Sequence, residues 1–297
     1  MKILVFGGTG QIGREVCRAA WPASAQLVVL DRNGCDITRP AAVGTVIARQ
    51  RPDLVINLAA YTAVDRAESE PDTAWAVNCA GAAHIAAICG ENGAPLVHLS
   101  TDYVFNGRKT GAYTERAPVD PLNVYGRSKE AGERAVRAAV PHHIILRTSW
   151  VYGAYGSNFV KTILRLASER PVLRVVADQY GCPTAAADIA SALVVVARRI
   201  AHARMDWGTF HFAGAGSTTW HAFADVIIDL AGQLGAWSQR PRPHVEPITT
   251  DQYPTPARRP MNSVLDCEKI ATFGIPPSPW RSSLGAVVRE LLREASR

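Results

Sequence analysis

The chain has no CxxC pair, and none of its six cysteines (Cys17, Cys35, Cys79, Cys89, Cys182, Cys267) has a histidine at ligand spacing. That argues against a metal site, and in 297 residues it also argues against a disulfide framework. Scattered thiols of this kind read as reduced and mostly buried, in a cytoplasmic protein. Long apolar runs are scarce too. The most lipid-like stretch, IASALVVVA from Ile189, is about half the roughly 20 residues that span a bilayer. The opening MKILVFGGTG breaks into glycines after a short apolar run, unlike a signal sequence. A soluble protein with no membrane partner is expected. The net charge is +6, yet no segment masses Lys and Arg together, so no nucleic-acid partner is expected either. A positive balance without a basic patch suits an acidic ligand such as a nucleotide diphosphate.

What is present is an alternation. Lys2 to Phe6 is a continuous β-rich apolar run, as in a strand buried on both faces of a parallel sheet. It enters GGTGQIGR, where two glycine registers overlap. Gly8, Gly10 and Gly13 fit G-x-G-x-x-G; Gly7, Gly10 and Gly13 fit G-x-x-G-x-x-G and put the first glycine at the strand end, the preferred reading. Either register gives a tight turn, a backbone able to touch a pyrophosphate, and a helix from Gln11 aimed at it. QLVVLDR then ends in Asp31, about 20 residues on, where an acid would bind adenosine ribose hydroxyls. Asp36 and Ile37 follow as candidates for the adenine pocket. Arg32 is placed to meet a 2′-phosphate, so both NADH and NADPH stay open. DLVINLAA, PLVHLS and HHIILRTSW read as further strands, with TAWAVNCAGAAHIAAICGENG as a helical segment. The pattern predicts an α/β fold built on a doubly wound parallel sheet of the Rossmann type.

At the end of the fourth strand lies LSTDYVFNG, with Ser100, Thr101 and Asp102 where ligands gather in such sheets. NVYGRSK opens the next helix and puts Tyr125 and Lys129 on one face, four residues apart. A lysine cation, with an oxidised nicotinamide, is expected to lower a phenol pKa that is ordinarily about 10. Thr101 is then placed to hydrogen-bond a substrate oxygen, and Lys129 to hold the nicotinamide ribose.

The glycine loop, Thr101 and the Tyr125-x-x-x-Lys129 pair resemble the extended short-chain dehydrogenase/reductase family. The strings NLAAYTAVDRAESEP, STDYVFNG, PLNVYGRSK, RTSWVYG, SNFVKTILRLA, DQYGCPT, TTWHAFA and YPTPARRPMNS extend the likeness over nearly the whole chain. They point to the branch that reduces dTDP-linked 4-keto-6-deoxy sugars. The resemblance implies hydride transfer from NADPH or NADH to C4 of dTDP-4-dehydro-L-rhamnose, giving dTDP-L-rhamnose. It makes Tyr125 the proton donor, Thr101 the group that orients the C4 oxygen, and Lys129 the ligand of the cofactor ribose. It places the cofactor on Gly7, Gly10, Gln11 and Ile12, with Asp31, Asp36, Ile37, Ala59, Ala60, Tyr61 and Thr62 completing its site. It implies contacts from Asp102, Trp150 and Asn158 to the sugar nucleotide, with Gln179 and Tyr180 as further candidates, and Arg259 on the diphosphate. Val264 stands where relatives often carry an arginine. Glu15 and Glu290 match two positions of a magnesium cluster that joins subunits in some relatives, but Ala187 occupies the third. No metal is therefore expected, and the assembly is a monomer or a homodimer. Residues 1–152, completed by 185–207, form the dinucleotide-binding domain; 153–184 and 208–297 form a smaller, mixed α/β substrate-binding region.

Two rivals differ in what they require. A dehydratase of the same ancestry needs a second acid after the catalytic threonine, whereas Asp102 is followed by Tyr103. A non-catalytic nucleotide-binding subunit needs none of Thr101, Tyr125 and Lys129, and all three are present.

Overall fold

The apolar runs become strands because each is buried on two sides. In the computed structural model, which describes residues 1–295, the first half alternates as expected. It comprises β1 (Lys2–Phe6), α1 (Gln11–Arg18), β2 (Gln26–Leu30), α2 (Pro40–Gln50) and β3 (Leu54–Asn57). Then come α3 (Val64–Ser69), α4 (Pro71–Trp75), α5 (Ala82–Asn92), β4 (Leu96–Thr101), α6 (Val124–Ala139) and β5 (His143–Thr148). The period of two along each strand sorts side chains between two cores. Ile3, Val5, Leu54, Ile56, Val97, Ile144 and Leu146 face one side. Leu4, Phe6, Val55, Leu96 and Ile145 face the other, against Val43 and Ile47 of α2, Ile85 and Cys89 of α5, and Val136 of α6.

The second half supplies β6 (Val151–Tyr152), α7 (Phe159–Glu169), β7 (Val172–Val176), β8 (Tyr180–Gly181), β9 (Thr184–Ala185) and α8 (Ala186–Ala201). It continues with β10 (Gly208–His211), β11 (Thr218–Thr219), α9 (Trp220–Gln233), β12 (His244–Ile248), α10 (Glu268–Ala271) and α11 (Trp280–Ala295). Helix α8 returns to the first core, where Ile189 and Leu193 pack with Ile12 and Val16 of α1. The fold is a doubly wound parallel sheet of the Rossmann type, with strand order β10-β5-β4-β3-β1-β2. The sixth strand is a difference from the sequence pattern. The expected segment boundary at 207 stops one residue short of β10, which pairs in parallel with β5 from Gly208↔Ile144 to His211↔Arg147. Its strand is only four residues, GTFH, too short to stand out by alternation.

A separate core lies in the remaining chain. Tyr152, Ile163, Phe223, Ile227, Trp280 and Leu284 are buried together, beside the parallel pair β7–β12. One helical run, Pro71–Asn92, is long and apolar enough to cross a bilayer by length and composition. Here it lies on one face of the sheet, where Ile85, Ala86 and Cys89 pack with Val43, Val46 and Val136 of the neighbouring helices.

Candidate active site

The order of strands reverses between β1 and β3, so the loops at their carboxyl ends part there and leave a crevice. A cavity of about 290 Å³ opens along it, from the glycine loop to Trp150. Its first wall is backbone. Gly7 has φ +91°, and a Cβ there would lie 2.6 Å from the Ala59 nitrogen. A Cβ on Gly13 would lie 2.3 Å from the Gly7 carbonyl oxygen. A Cβ on Gly8 would meet the Val29 side chain at 2.5 Å, so both registers are sterically constrained, and Gly7 alone of the four adds a positive φ. No side chain caps the first turn of α1, which leaves its leading N–H groups for an anion. This uncapped turn behind a glycine-only bend fits the pyrophosphate of a dinucleotide.

Gly7, Gly10, Gln11 and Ile12 line the cavity, as do Ala60 and Thr62 from the loop after β3. Ala59 supports that loop through its N–H, which donates to Asn57 Oδ1 (3.1 Å). Tyr61 does not line the cavity. Its N–H donates to Asn78 Oδ1 (2.8 Å) and its hydroxyl to Glu70 Oε2 (2.7 Å). Asp31, Asp36 and Ile37 lie beyond the cavity, past the end of β2. Asp31 Oδ1 accepts from the Gly34 N–H (2.8 Å), so the acid caps a turn. The Thr38 side-chain and backbone bonds hold Asp36 below the usual carboxylate range. Ile37 is buried in the second core.

The catalytic candidates stand on the opposite wall. Asn123 caps α6 by accepting from the Gly126 N–H (2.8 Å), and Glu68 accepts from the Val124 N–H (2.8 Å). Gly126 lets this first turn approach the Tyr103 carbonyl, which a Cβ would meet at 2.3 Å. Tyr125 and Lys129 are thereby buried and both line the cavity, beside Thr101. Lys129 Nζ donates to the Leu99 carbonyl (2.7 Å). Burial lowers its pKa to about 8, with the charge of Glu133 pulling the other way. Glu133 is itself fixed, accepting from Ser100 Oγ (2.6 Å) and from Arg147 Nε (2.8 Å) and Nη2 (2.7 Å).

Tyr125 departs from the expected direction. Its pKa is pushed up to about 12 by burial, which outweighs the lowering by the Thr101 hydroxyl; the Asp102 charge adds a smaller rise. The expectation of a lowered phenol counted cations and left out the loss of water around the ring.

At the sugar end the site is made of side chains. Asp102 is 2 % exposed, and its pKa is pushed up to about 6 by burial. Oδ1 accepts from Thr101 Oγ (3.0 Å). Ser263 lies close, but its hydroxyl donates to the Tyr180 carbonyl (3.3 Å) and Asp102 Oδ2 stays without a partner. Among the described residues, the buried side-chain atoms lacking a hydrogen bond are Asp102 Oδ2 and Thr148 Oγ, and both residues line the cavity. Trp150, with φ +47°, lines it too and stacks on Trp220 (centroids 3.4 Å, planes 4° apart). Asn158 stands at the rim, capping α7 and donating to Gln11 Oε1 (2.9 Å). Arg259 lies outside the lining, and its guanidinium forks Asp65 (Nη1–Oδ1 3.0 Å, Nη2–Oδ2 2.8 Å). Gln179 Nε2 donates to Thr250 Oγ (3.1 Å), while Tyr180 is half exposed. Away from this lining, Arg18 donates to Glu290 (3.0 Å), and burial raises the pKa of Glu15, with the Arg18 charge pulling it down and the Glu290 charge adding to the rise.

Sequence reasoning missed Thr148 and Trp220. Thr148 is in register with Thr101 across β4 and β5, a pairing that shows only once the strands are aligned. The arrangement around the cavity can hold a dinucleotide on one side and present a protonated phenol to a carbonyl on the other.

Comparison with known proteins agrees. The family model of the RmlD substrate binding domain matches residues 1–293. A dTDP-4-dehydrorhamnose reductase of Sinorhizobium fredii is 44% identical over 297 residues, covering 99% of each chain. Among solved structures, a dTDP-4-dehydrorhamnose reductase of Clostridium acetobutylicum superposes with TM-score 0.90 at 37% identity, covering 98% of this chain and 100% of that one. The Bacillus anthracis enzyme in complex with NADP gives 0.88 at 36%, covering 97% and 99%.

Proposed function

The chain belongs to the RmlD substrate binding domain family, and from that premise we propose that it reduces the C4 keto group of dTDP-4-dehydro-L-rhamnose with NAD(P)H. The product is dTDP-L-rhamnose, and the step is the last of dTDP-rhamnose synthesis. The observation that carries this reading is Tyr125, buried and protonated, sharing one cavity with Thr101, Lys129 and an uncapped glycine turn.

Gly7, Gly10, Gln11 and Ile12 hold the pyrophosphate, Ala60 and Thr62 flank it, and Lys129 takes the ribose hydroxyls; Asp31, Asp36, Ile37, Ala59 and Tyr61 shape the adenosine end directly or through the loops they brace. Bound there, the reduced nicotinamide supplies the hydride for C4. Tyr125 gives its phenolic proton to the C4 oxygen. A reductase needs that proton in place until the oxygen becomes basic, so a phenol raised by burial suits the task. Thr101 orients the C4 oxygen, and Asp102, Trp150 and Asn158 contact the sugar nucleotide. Arg259 serves the diphosphate, supported by its position near Tyr103, whose ring lines the cavity and feels the arginine charge. Residues 1–152 with 185–207 and the edge strand to His211 form the cofactor domain, and 153–184 with 212–297 the substrate region. The enzyme works in the cytoplasm as a monomer or a homodimer, without a metal.

NAD(P)H oxidation with freshly prepared dTDP-4-dehydrorhamnose tests the reading. Tyr125→Phe is expected to lower kcat about 10²–10⁴-fold while cofactor affinity stays close to that of the parent chain. Undiminished turnover in that variant would remove Tyr125 from the mechanism.

A further inference from the structure

His98, in β4, sits behind Lys129 at 1 % exposure. Its Nδ1 lies 3.1 Å from Asn57 Nδ2, and its Nε2 lies 3.5 Å from Lys129 Nζ. Asn57 ends β3, is equally buried, and its Oδ1 accepts from the Ala59 N–H at 3.1 Å. That bond sets the amide, because turning it over would aim its NH₂ at another N–H. Nδ2 therefore faces the imidazole, and as a donor it requires the lone pair on Nδ1. A neutral imidazole carries one such lone pair, so its proton is on Nε2. An imidazolium would set a second N–H against the Asn57 amide at 3.1 Å, and burial, Lys129 and Arg137 also hold the ring well below the usual histidine range. Nε2–H and the lysine ammonium then meet as two donors.

We propose that His98, held in its Nε2–H form by Asn57, is a positioning residue for Lys129: it closes one side of the ammonium to hydrogen bonding. One N–H goes to the Leu99 carbonyl, and the others are directed into the cavity. A lone pair at Nε2 would instead capture a second N–H and turn it from the ligand. The remaining charged and titratable groups around the lysine are Glu133 one turn along α6, tied to Arg147 of β5 and to Arg137, and Tyr125 one turn before. The Asn57 bond to Ala59 makes the same chain brace the cofactor loop. The inference deepens the reductase reading and rests on it for what Lys129 binds.

Nitrogen-15 NMR of histidine-labelled chain, with His98 assigned through its loss in His98→Gln, reads the tautomer directly. An unprotonated Nδ1 beside a protonated Nε2 is expected, and a protonated Nδ1 would overturn the proposal. NAD(P)H titrations give the second arm. His98→Leu, too short to back the ammonium at the Nε2 position, is expected to weaken cofactor binding about tenfold as Lys129 draws back from the cavity, whereas His98→Gln, whose amide nitrogen reaches that position, recovers most of it. Equal losses in both variants would count against it. In a Lys129→Met background, His98→Leu should add no further loss; an undiminished second loss would assign His98 to general packing. If the parent chain binds no NAD(P)H, the reductase reading fails, while the NMR arm still decides the tautomer.

Discussion

The two ends of the cavity are built from different materials. The cofactor end is backbone: a bend only glycine can make, a helix start left uncapped, and loops braced by Asn57 and Asn78. The sugar end is side chains: Asp102 and Thr148 with unpartnered oxygens, and Trp150 stacked on a tryptophan about 70 residues later (150 to 220). A backbone site is complete before its ligand arrives. A side-chain site with buried unpartnered oxygens is incomplete until something hydrogen-bonds them, and it costs stability meanwhile.

The sharpest way to break this contrast is in the glycine bend. A Cβ on Gly13 would meet only backbone, Gly7 O at 2.3 Å and Gly8 Cα at 2.7 Å, which cannot yield as a flexible side chain would. Gly13→Ala is expected to weaken NAD(P)H binding about 100-fold and to destabilise the fold by about 2–3 kcal/mol. At Gly10 the nearest atom to a Cβ is Gly7 O at 3.4 Å. Gly10→Ala should therefore keep its melting temperature and lose affinity alone. Calorimetry and fluorescence titration of both variants separate the effects; a Gly13→Ala chain that melts and binds like its parent would show the bend is not steric.

The same contrast governs what the sequence reveals. The bend was legible because glycine spacing is local, and Tyr125 and Lys129 because four residues span one helical turn. The doubly wound sheet was legible from buried apolar runs, except for β10, whose four residues carry too little pattern. Thr148, Trp220 and His98 were not legible, since each gains its role from a neighbour on another strand or helix. Arg259 illustrates the reverse case: a well-chosen residue type whose observed partner, Asp65, lies 194 positions away. The direction of the Tyr125 shift is hidden for a related reason, because burial, its largest cause, is a property of the assembled core.

At the sugar end the test is a gain. The folded pKa of Asp102, about 6, lies above its ordinary 3.8. Between those values the folded chain holds a proton that the unfolded chain has released, so stability falls as pH rises through the window, and the full cost is present above it. Asp102→Asn never ionises, and is expected to raise stability by about 1–2 kcal/mol near pH 8, a gain that fades towards about pH 4. The same variant should raise the KM of the sugar nucleotide. Melting curves at the two pH values check the sign, and an equal gain at both would mean that burial of the charge is not its source.

The smallest expected effect concerns the fork between Arg259 and Asp65. Both side chains are partly exposed, at 23% and 41%, so the pair itself stabilises by no more than about 1 kcal/mol. If its work is to tether the 254–260 segment to α3, Asp65→Asn and Arg259→Lys should raise the KM of the sugar nucleotide alike. The diphosphate role predicts otherwise. Lysine replaces a planar fork with a point charge, and KM should rise about threefold to tenfold. Asp65→Asn leaves the guanidinium intact and free to turn, so KM should hold or fall. Steady-state kinetics on the two variants decide between a tether and a ligand.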